Sequence, residues 1–236
     1  METAGNTDRG KMRSKNEDDF LIREKPYCIL AVADGMGGHS AGDVASSKVI
    51  ETAEEYKFDS DYCSEEQMRE LVECANEKVI KLGEEKPAYR GMGTTFSAGA
   101  VHKGTFYYGH VGDSRIYLHR DDELSKISRD HSLVARMIEE GRLTSEEAFQ
   151  HPRSNVLTQA IGLESELDID SGQLDMKKGD MLIFCTDGLT DMIREKEIEK
   201  IASEHHSPEK LCKTLLEAAL QAGGRDNITV VTGLFS

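Results

Sequence analysis

The stretch TTFSAGAVHKGTFYYGHVGDSRIYLHRDDELSKI, Thr94 to Ile127, decides the fold class. Its apolar and β-branched residues fall into four short runs: Thr94 to Val101, Thr105 to Val111, Arg115 to His119 and Leu124 to Ile127. His102-Lys103-Gly104, Gly112-Asp113-Ser114 and Arg120-Asp121-Asp122 separate them. Links this short leave no room for a crossover helix, so the four strands are predicted to form an antiparallel β-meander.

Upstream, Phe20 to Arg23 and Tyr27 to Ala33 read as strands separated by Glu24-Lys25-Pro26. Helices are predicted from about Gly42 to Tyr56 and from the capping box Ser64-Glu65-Glu66-Gln67 onward. Met68, Leu71, Val72, Ala75, Val79 and Leu82 in the second helix keep helical spacing and would face a core. Downstream, residues 131–162 read as short helical pieces, with a second capping box at Thr144-Ser145-Glu146-Glu147. Asp168 to Leu174 and Met181 to Thr186 are expected to form a hairpin around Lys177-Lys178-Gly179-Asp180. Two helices follow, near Glu195 to Glu204 and Pro208 to Ala222. The second is marked by Ser207 before it and Gly223-Gly224 beyond it. Ile228 to Leu234 is a closing β-branched strand. Strands cluster with strands and helices come in pairs, which is α+β rather than repeated βαβ. No repeat, low-complexity tract or linker divides residues 1–236, so one domain is expected.

The chain carries 29 Lys and Arg against 44 Asp and Glu, a net charge of −15. A surface this acidic repels a phosphate backbone, which argues against a nucleic-acid binder. The five cysteines are widely spaced with no C-x-x-C pair, as free thiols in a reducing compartment would be. The N-terminus is polar, and the apolar run ending at Ala33 is far too short to span a membrane. A cytoplasmic protein is expected.

Aspartates recur at strand ends. Asp18 precedes Phe20-Leu21-Ile22, Asp34 ends Cys28 to Ala33, and Asp113 lies between two strands of the meander. Asp187 ends Met181 to Thr186, and Asp226 stands just before the final strand. One such residue is ordinarily a turn or a cap. Several at the same ends of core strands can converge, and oxygen donors without a His/Cys cluster suit Mg²⁺ or Mn²⁺. Two such ions can share a carboxylate and activate a water between them. Arg13, five residues before Asp18, has a planar fork that can grip phosphate oxygens. Gly35-Met36-Gly37-Gly38-His39-Ser40 lacks the last glycine of a dinucleotide fingerprint and the Gly-Lys-Ser/Thr of a P-loop. Asp130-His131-Ser132 has no G-x-S-x-G elbow to make it a triad.

In order along almost the whole chain stand R-x-x-N-E-D (Arg13 to Asp18), D-G-M-G-G-H (Asp34 to His39), Gly93-Thr94-Thr95, V-G-D-S-R (Val111 to Arg115), Asp130-His131-Ser132, D-G-L-T-D (Asp187 to Asp191) and D-N-I-T (Asp226 to Thr229). Together they closely resemble the bacterial branch of the PP2C, or PPM, family of metal-dependent serine/threonine protein phosphatases. The resemblance implies an antiparallel β-sandwich flanked by pairs of helices, with two Mn²⁺ or Mg²⁺ ions in a cleft at one end. It implies that Asp34 bridges both ions, that the Gly35 carbonyl holds the first, and that Asp187 and Asp226 hold the second. Asp18 would orient metal-bound waters, Arg13 would bind the substrate phosphate, and Asp113 would serve a third ion beside Asp187. Residues from about 130 to 162 would form the family's mobile flap.

The implied reaction is hydrolysis of phosphoserine and phosphothreonine in proteins by a metal-bridging water. It would oppose a bacterial Ser/Thr kinase, with a monomer acting on phosphorylated proteins. One departure bears on mechanism: Met36 stands where animal members carry a histidine acid, and a thioether cannot donate a proton. His39 and a metal-bound water are the alternative donors. Two other readings stay open from residues alone, a catalytically dead binding module and a hydrolase of small phosphoesters.

Overall fold

The apolar run of strand β3 (Cys28–Met36) accounts for the layering. Leu30 and Val32 pack against Phe106, Ile116, Leu182, Phe184 and Val231, while Ile29, Ala31 and Ala33 pack against Val49, Leu71, Val72 and Ala75. A strand wetted on one face would alternate apolar with polar; this one is buried on both. In this computed structural model, residues 1–25, 27–36, 41–58 and 63–236 are described.

One sheet has the order β2 (Asp18–Arg23), β3, β5 (Phe96–His102), β6 (Thr105–Val111), β9 (Asp170–Asp175), with β4 (Gly93–Thr94) pairing the end of β3. The other has the order β1 (Glu2–Asp8), β11 (Ile228–Leu234), β10 (Met181–Cys185), β7 (Arg115–Arg120), β8 (Glu123–Lys126). Helices α1 (Gly42–Glu55) and α2 (Glu65–Glu85) cover the first sheet; α6 (Glu195–Glu204) and α7 (Pro208–Gln221) cover the second. The result is the expected four-layer α-β-β-α sandwich. Met181, Ile183 and Cys185 face the α6–α7 side and Leu182 and Phe184 face the other sheet, so β10 repeats the logic of β3. All five cysteines are free. No helix among the described residues is long and apolar enough to cross a membrane.

Two expectations are corrected, and one strand lies outside them. The polar segment Glu2–Asp8 is strand β1, paired antiparallel to β11 from Glu2↔Leu234 to Asp8↔Ile228. It lies at a sheet edge and lacks the apolar alternation that would mark it. The meander breaks in the middle: β5 with β6 and β7 with β8 are hairpins, but β6 and β7 belong to different sheets. Gly112 makes that corner at φ +116, and a Cβ there would lie 2.5 Å from the Thr95 side chain. Likewise β9 and β10 are not a hairpin, because β9 pairs with β6 while β10 pairs with β7 and β11. A short link bounds the distance between strands, and that bound is met by an arch from sheet to sheet as well as by a hairpin.

Residues 130–162 contain the short helices α3 (Leu133–Glu139) and α4 (Ser145–Phe149). The predicted capping box of α4 is made in both directions: the Glu147 amide donates to Thr144 Oγ1 at 3.3 Å, and the Thr144 amide donates to Glu147 Oε2 at 2.8 Å.

Candidate active site

Antiparallel pairing sets the end of one strand beside the start of the next, and this gathers the aspartates at one end of the sandwich. Asp34, near the end of β3, is the register partner of Asp18 at the start of β2. From the second sheet, Asp187 opens the short helix α5 (Asp187–Thr190), and Asp226 lies just before β11. Asp113 sits on the corner between β6 and β7. The two sheets meet across the site: Thr186 Oγ1 and Thr229 Oγ1 donate to Asp18 Oδ2 at 2.9 and 2.7 Å.

Backbone contacts hold Asp34 in place. Its amide donates to Thr95 Oγ1 at 2.9 Å, and its carbonyl accepts from the Thr95 amide and Thr94 Oγ1, both at 2.9 Å. Thr95 Oγ1 in turn bonds Ser114 Oγ at 2.7 Å, which ties this strand to the Asp113 corner. Gly35 packs so tightly that a Cβ would lie 2.2 Å from the Gly42 carbonyl oxygen and 2.6 Å from that of Glu17. Only glycine lets the end of β3 meet the start of α1 in this way. Asn227 secures the loop that carries Arg13. Its Oδ1 accepts from the Glu17 amide at 2.8 Å, and its Nδ2 donates to the carbonyls of Arg9 and Lys15 at 2.9 Å. Arg13 donates to Asp226 Oδ2 at 2.6 Å.

The carboxyls disturb one another's ionisation. Burial, then the charges of Asp18, Asp187 and Asp113, hold Asp34 well above the usual carboxylate range. Burial, then Asp113, Asp191, Asp226 and Asp18, raise Asp187 in the same direction. Burial pushes Asp18 up to about 7, although the Thr229 and Thr186 hydroxyls pull the other way. Burial and Asp130 push Asp113 up to about 7 against the pull of Arg115. Asp191, nearby, is also raised, chiefly by burial. Arg13 is raised by its bond to Asp226, with Asp187 and Asp34 contributing. All the aspartates singled out from sequence therefore belong to one electrostatic cluster, with Arg13 beside it.

This donor set fits hard divalent cations. Asp18 Oδ1 and Asp187 Oδ1 are buried with no hydrogen-bond partner among the described residues. A buried carboxylate oxygen without a donor is costly, and crowding carboxylates raises that cost unless positive charge is supplied. The ligands are oxygens, as Mg²⁺ and Mn²⁺ prefer. Among the described residues no group of three or more Asp, Glu, His or Cys side chains is already closed into an ion cage. What the fold provides is a crowded donor set rather than a finished coordination shell.

Met36 ends β3 opposite Gly93. His39 lies outside the described residues. Sequence reasoning missed Thr95, Ser114, Thr186, Asn227 and Thr229 as supports. All but Thr186 lie inside the quoted motifs, and Thr186 directly precedes one.

A family model for protein phosphatase 2C matches residues 9–223. The chain is 38% identical over 236 residues to protein phosphatase PhpP of Streptococcus pneumoniae, covering 98% of this chain and 96% of that protein. The crystal structure of the Mycobacterium tuberculosis serine/threonine phosphatase PstP/Ppp matches with a TM-score of 0.90 at 34% identity, covering 99% of this chain and 98% of that one. The catalytic domain of PstP in complex with two manganese ions matches with a TM-score of 0.86 at 33% identity, covering 98% and 96%. With the carboxylate cluster at the end of an α-β-β-α sandwich, these likenesses establish that the chain belongs to the protein phosphatase 2C family.

Proposed function

We infer that the protein hydrolyses phosphoserine and phosphothreonine in proteins with the help of divalent cations held by its aspartate cluster. The observation that carries this reading is the pair of buried oxygens, Asp18 Oδ1 and Asp187 Oδ1, without a partner among the described residues and within a set of mutually repelling carboxylates beside Arg13. Asp34, between Asp18 and Asp187, would be shared by two Mn²⁺ or Mg²⁺ ions, with Gly35 on the first and Asp187 and Asp226 on the second. Such ions, when bound, supply charge against the phosphoryl oxygens and acidify water. A third would be served by Asp113.

The chain's own groups do the rest. The Arg13 fork can turn from Asp226 to grip two phosphate oxygens and set the phosphorus in line for attack. Thr186 and Thr229 fix Asp18 Oδ2, which leaves Oδ1 to accept a hydrogen bond from the attacking water and orient it. Met36 cannot protonate the departing alkoxide, so the proton is assigned to water.

Residues 1–236 are read as one domain with residues 130–162 as its flap. The protein is read as a cytoplasmic monomer opposing a Ser/Thr kinase. Turnover of a phosphothreonine peptide with and without Mn²⁺ tests the core of this. Hydrolysis is expected only with the ion, and Asp113→Ala should weaken one ion site while sparing the others. Absence of turnover in a folded, ion-binding protein would sink the enzyme reading. A marked preference for nucleotides or sugar phosphates would move the substrate to small phosphoesters.

A further inference from the structure

The motif Asp130-His131-Ser132 supplies neither an ion ligand nor a phosphate contact, yet its histidine is buried and aimed at a backbone. His131 is 4% exposed, and its Nδ1 accepts from the Gly112 amide at 3.3 Å. The His131 amide donates back to the Gly112 carbonyl at 2.7 Å. A second buried imidazole meets the same residue. His110 donates from Nε2 to the Gly112 carbonyl at 3.0 Å and accepts at Nδ1 from Ser97 Oγ at 2.7 Å. The two ring centroids lie 5.3 Å apart. Both backbone polar groups of Gly112 thus end on these two histidines.

The partners fix the tautomers, because an amide N–H only donates and a carbonyl only accepts. Each ring therefore carries its proton on Nε2. For His131 that arrangement is costly: its Nε2 is buried and meets no partner among the described residues. An apolar side chain of similar size would avoid the cost but leave the Gly112 amide unanswered. What the ring secures is that amide.

Gly112 is the corner at φ +116 where the chain leaves one sheet for the other, and the next residue is Asp113. Beyond Asp113, Ser114 Oγ bonds Thr95 Oγ1 at 2.7 Å. Asp113 is therefore bracketed, by the histidines before it and by this hydroxyl pair after it. A ligand must be held within about 0.5 Å of its working position, and the hydrogen bonds behind ligands tune ion affinity.

We propose that His131 is the positioning residue of Asp113. Its Nδ1 fixes the Gly112 amide while His110 holds the carbonyl, and this clamp sets the affinity of the ion that Asp113 serves. The inference rests on Asp113 being an ion ligand, as proposed above.

Two substitutions in the whole protein test it. His131→Leu removes the acceptor, whereas His131→Asn keeps an oxygen two bonds beyond Cβ, where Nδ1 stands. In chelator, the Gly112 amide should exchange with deuterium at least about tenfold faster in the leucine variant, and within about threefold of the parent in the asparagine variant. Mn²⁺ titration by calorimetry should show the site that Asp113→Ala weakens also weakened about tenfold by leucine and at most about threefold by asparagine, with the other sites unchanged. Added to Asp113→Ala, His131→Leu should alter Mn²⁺ binding no further. If the leucine variant does not fold, His131→Gln, whose amide lies one bond too far out, takes its place with the same expectations. Equal weakening by leucine and asparagine, weakening by neither, or a further loss on top of Asp113→Ala would overturn the proposal. Unchanged Mn²⁺ binding in Asp113→Ala would instead remove the ion from Asp113, and a difference in exchange would then mark a structural clamp only.

Discussion

Strand β10 has an aspartate beyond each end, and the two meet opposite fates. Asp180, just before Met181, is 1% exposed and fully answered. Arg120, at the end of neighbouring β7, donates Nε and Nη2 to it at 2.8 and 2.5 Å, and the Lys177 amide adds a bond at 2.6 Å. Asp187, at the other end, leaves Oδ1 without a partner among the described residues, and the charges of Asp113, Asp191, Asp226 and Asp18 press on it. Asp130 repeats the first pattern close to the second: Arg115 and Lys126 hold its carboxyl below the usual range although burial pushes the other way. Where a buried carboxylate serves stability, the chain supplies the cation itself. Asp187, which we propose as an ion ligand, has no such cation on its Oδ1 among the described residues.

Replacing a carboxylate by its amide in the cluster and beside Arg120 should act in opposite senses. Asp34→Asn is expected to lower kcat for a phosphothreonine peptide by about 10²–10³-fold, the scale of losing one electrostatic element of a reaction centre. It should leave the melting temperature of the metal-free protein unchanged or higher, since a repelling charge has gone. Asp180→Asn strips Arg120 of its counter-charge and should cost about 2–3 kcal/mol in urea unfolding. Its kcat per folded molecule should stay at the parent value. Equal loss of stability in the two variants would mean that the cluster is structural after all.

Ionisation sharpens the same contrast. Asp18 and Asp113 are lifted from 3.8 to about 7 in the folded protein. A carboxyl raised in this way favours the folded state below the unfolded pKa, and that contribution is lost as pH rises through the folded one. The metal-free protein, kept in chelator, should therefore be less stable to urea at pH 8.5 than at pH 7, by at most about 1 kcal/mol. The buried histidines do not obscure this window. Burial lowers His110 to about 3 and lowers His119 and His131 too, so all three are neutral when folded and largely neutral when unfolded above pH 7. Mn²⁺ should reverse the slope, because it competes with protons for the same oxygens. An unchanged slope with Mn²⁺ would place the ion elsewhere.

The same pair of ends shows what could be read from the chain alone. Gly179-Asp180 and Asp187-Gly188 look alike as text, each an aspartate beside a glycine at a strand boundary. What separates them is Arg120, far away in sequence and brought close only by the pairing of β7 with β10. Asp34, Asp18, Asp187 and Asp226 were legible as a set because antiparallel strands return their ends to a common edge and the motifs kept a familiar order. The threonines on Asp18 were not, since a hydroxyl in a strand is as well explained by β-propensity. Nor was the change of sheet at Gly112: turn residues encode a local bend and say nothing about which sheet receives the next strand. Strand β1 was hidden because its pairing with β11 supplies what its own polar residues do not.

Arg13 is the smallest test and the most discriminating for the open end. Its pair with Asp226 is a single bond at 2.6 Å between side chains 55% and 33% exposed, unlike the two-pronged grip of Arg120 on Asp180. Exposed pairs of this kind contribute at most about 1 kcal/mol. Arg13→Ala should therefore leave urea unfolding within about that margin, yet raise KM for a phosphopeptide by about tenfold by removing a charge-assisted contact to phosphate. Arg13→Lys should recover part of the loss, because it restores the charge but not the fork. If Arg13→Ala cost stability on the scale of Asp180→Asn and spared KM, Arg13 would be a second Arg120, and the cluster would have its own cation after all.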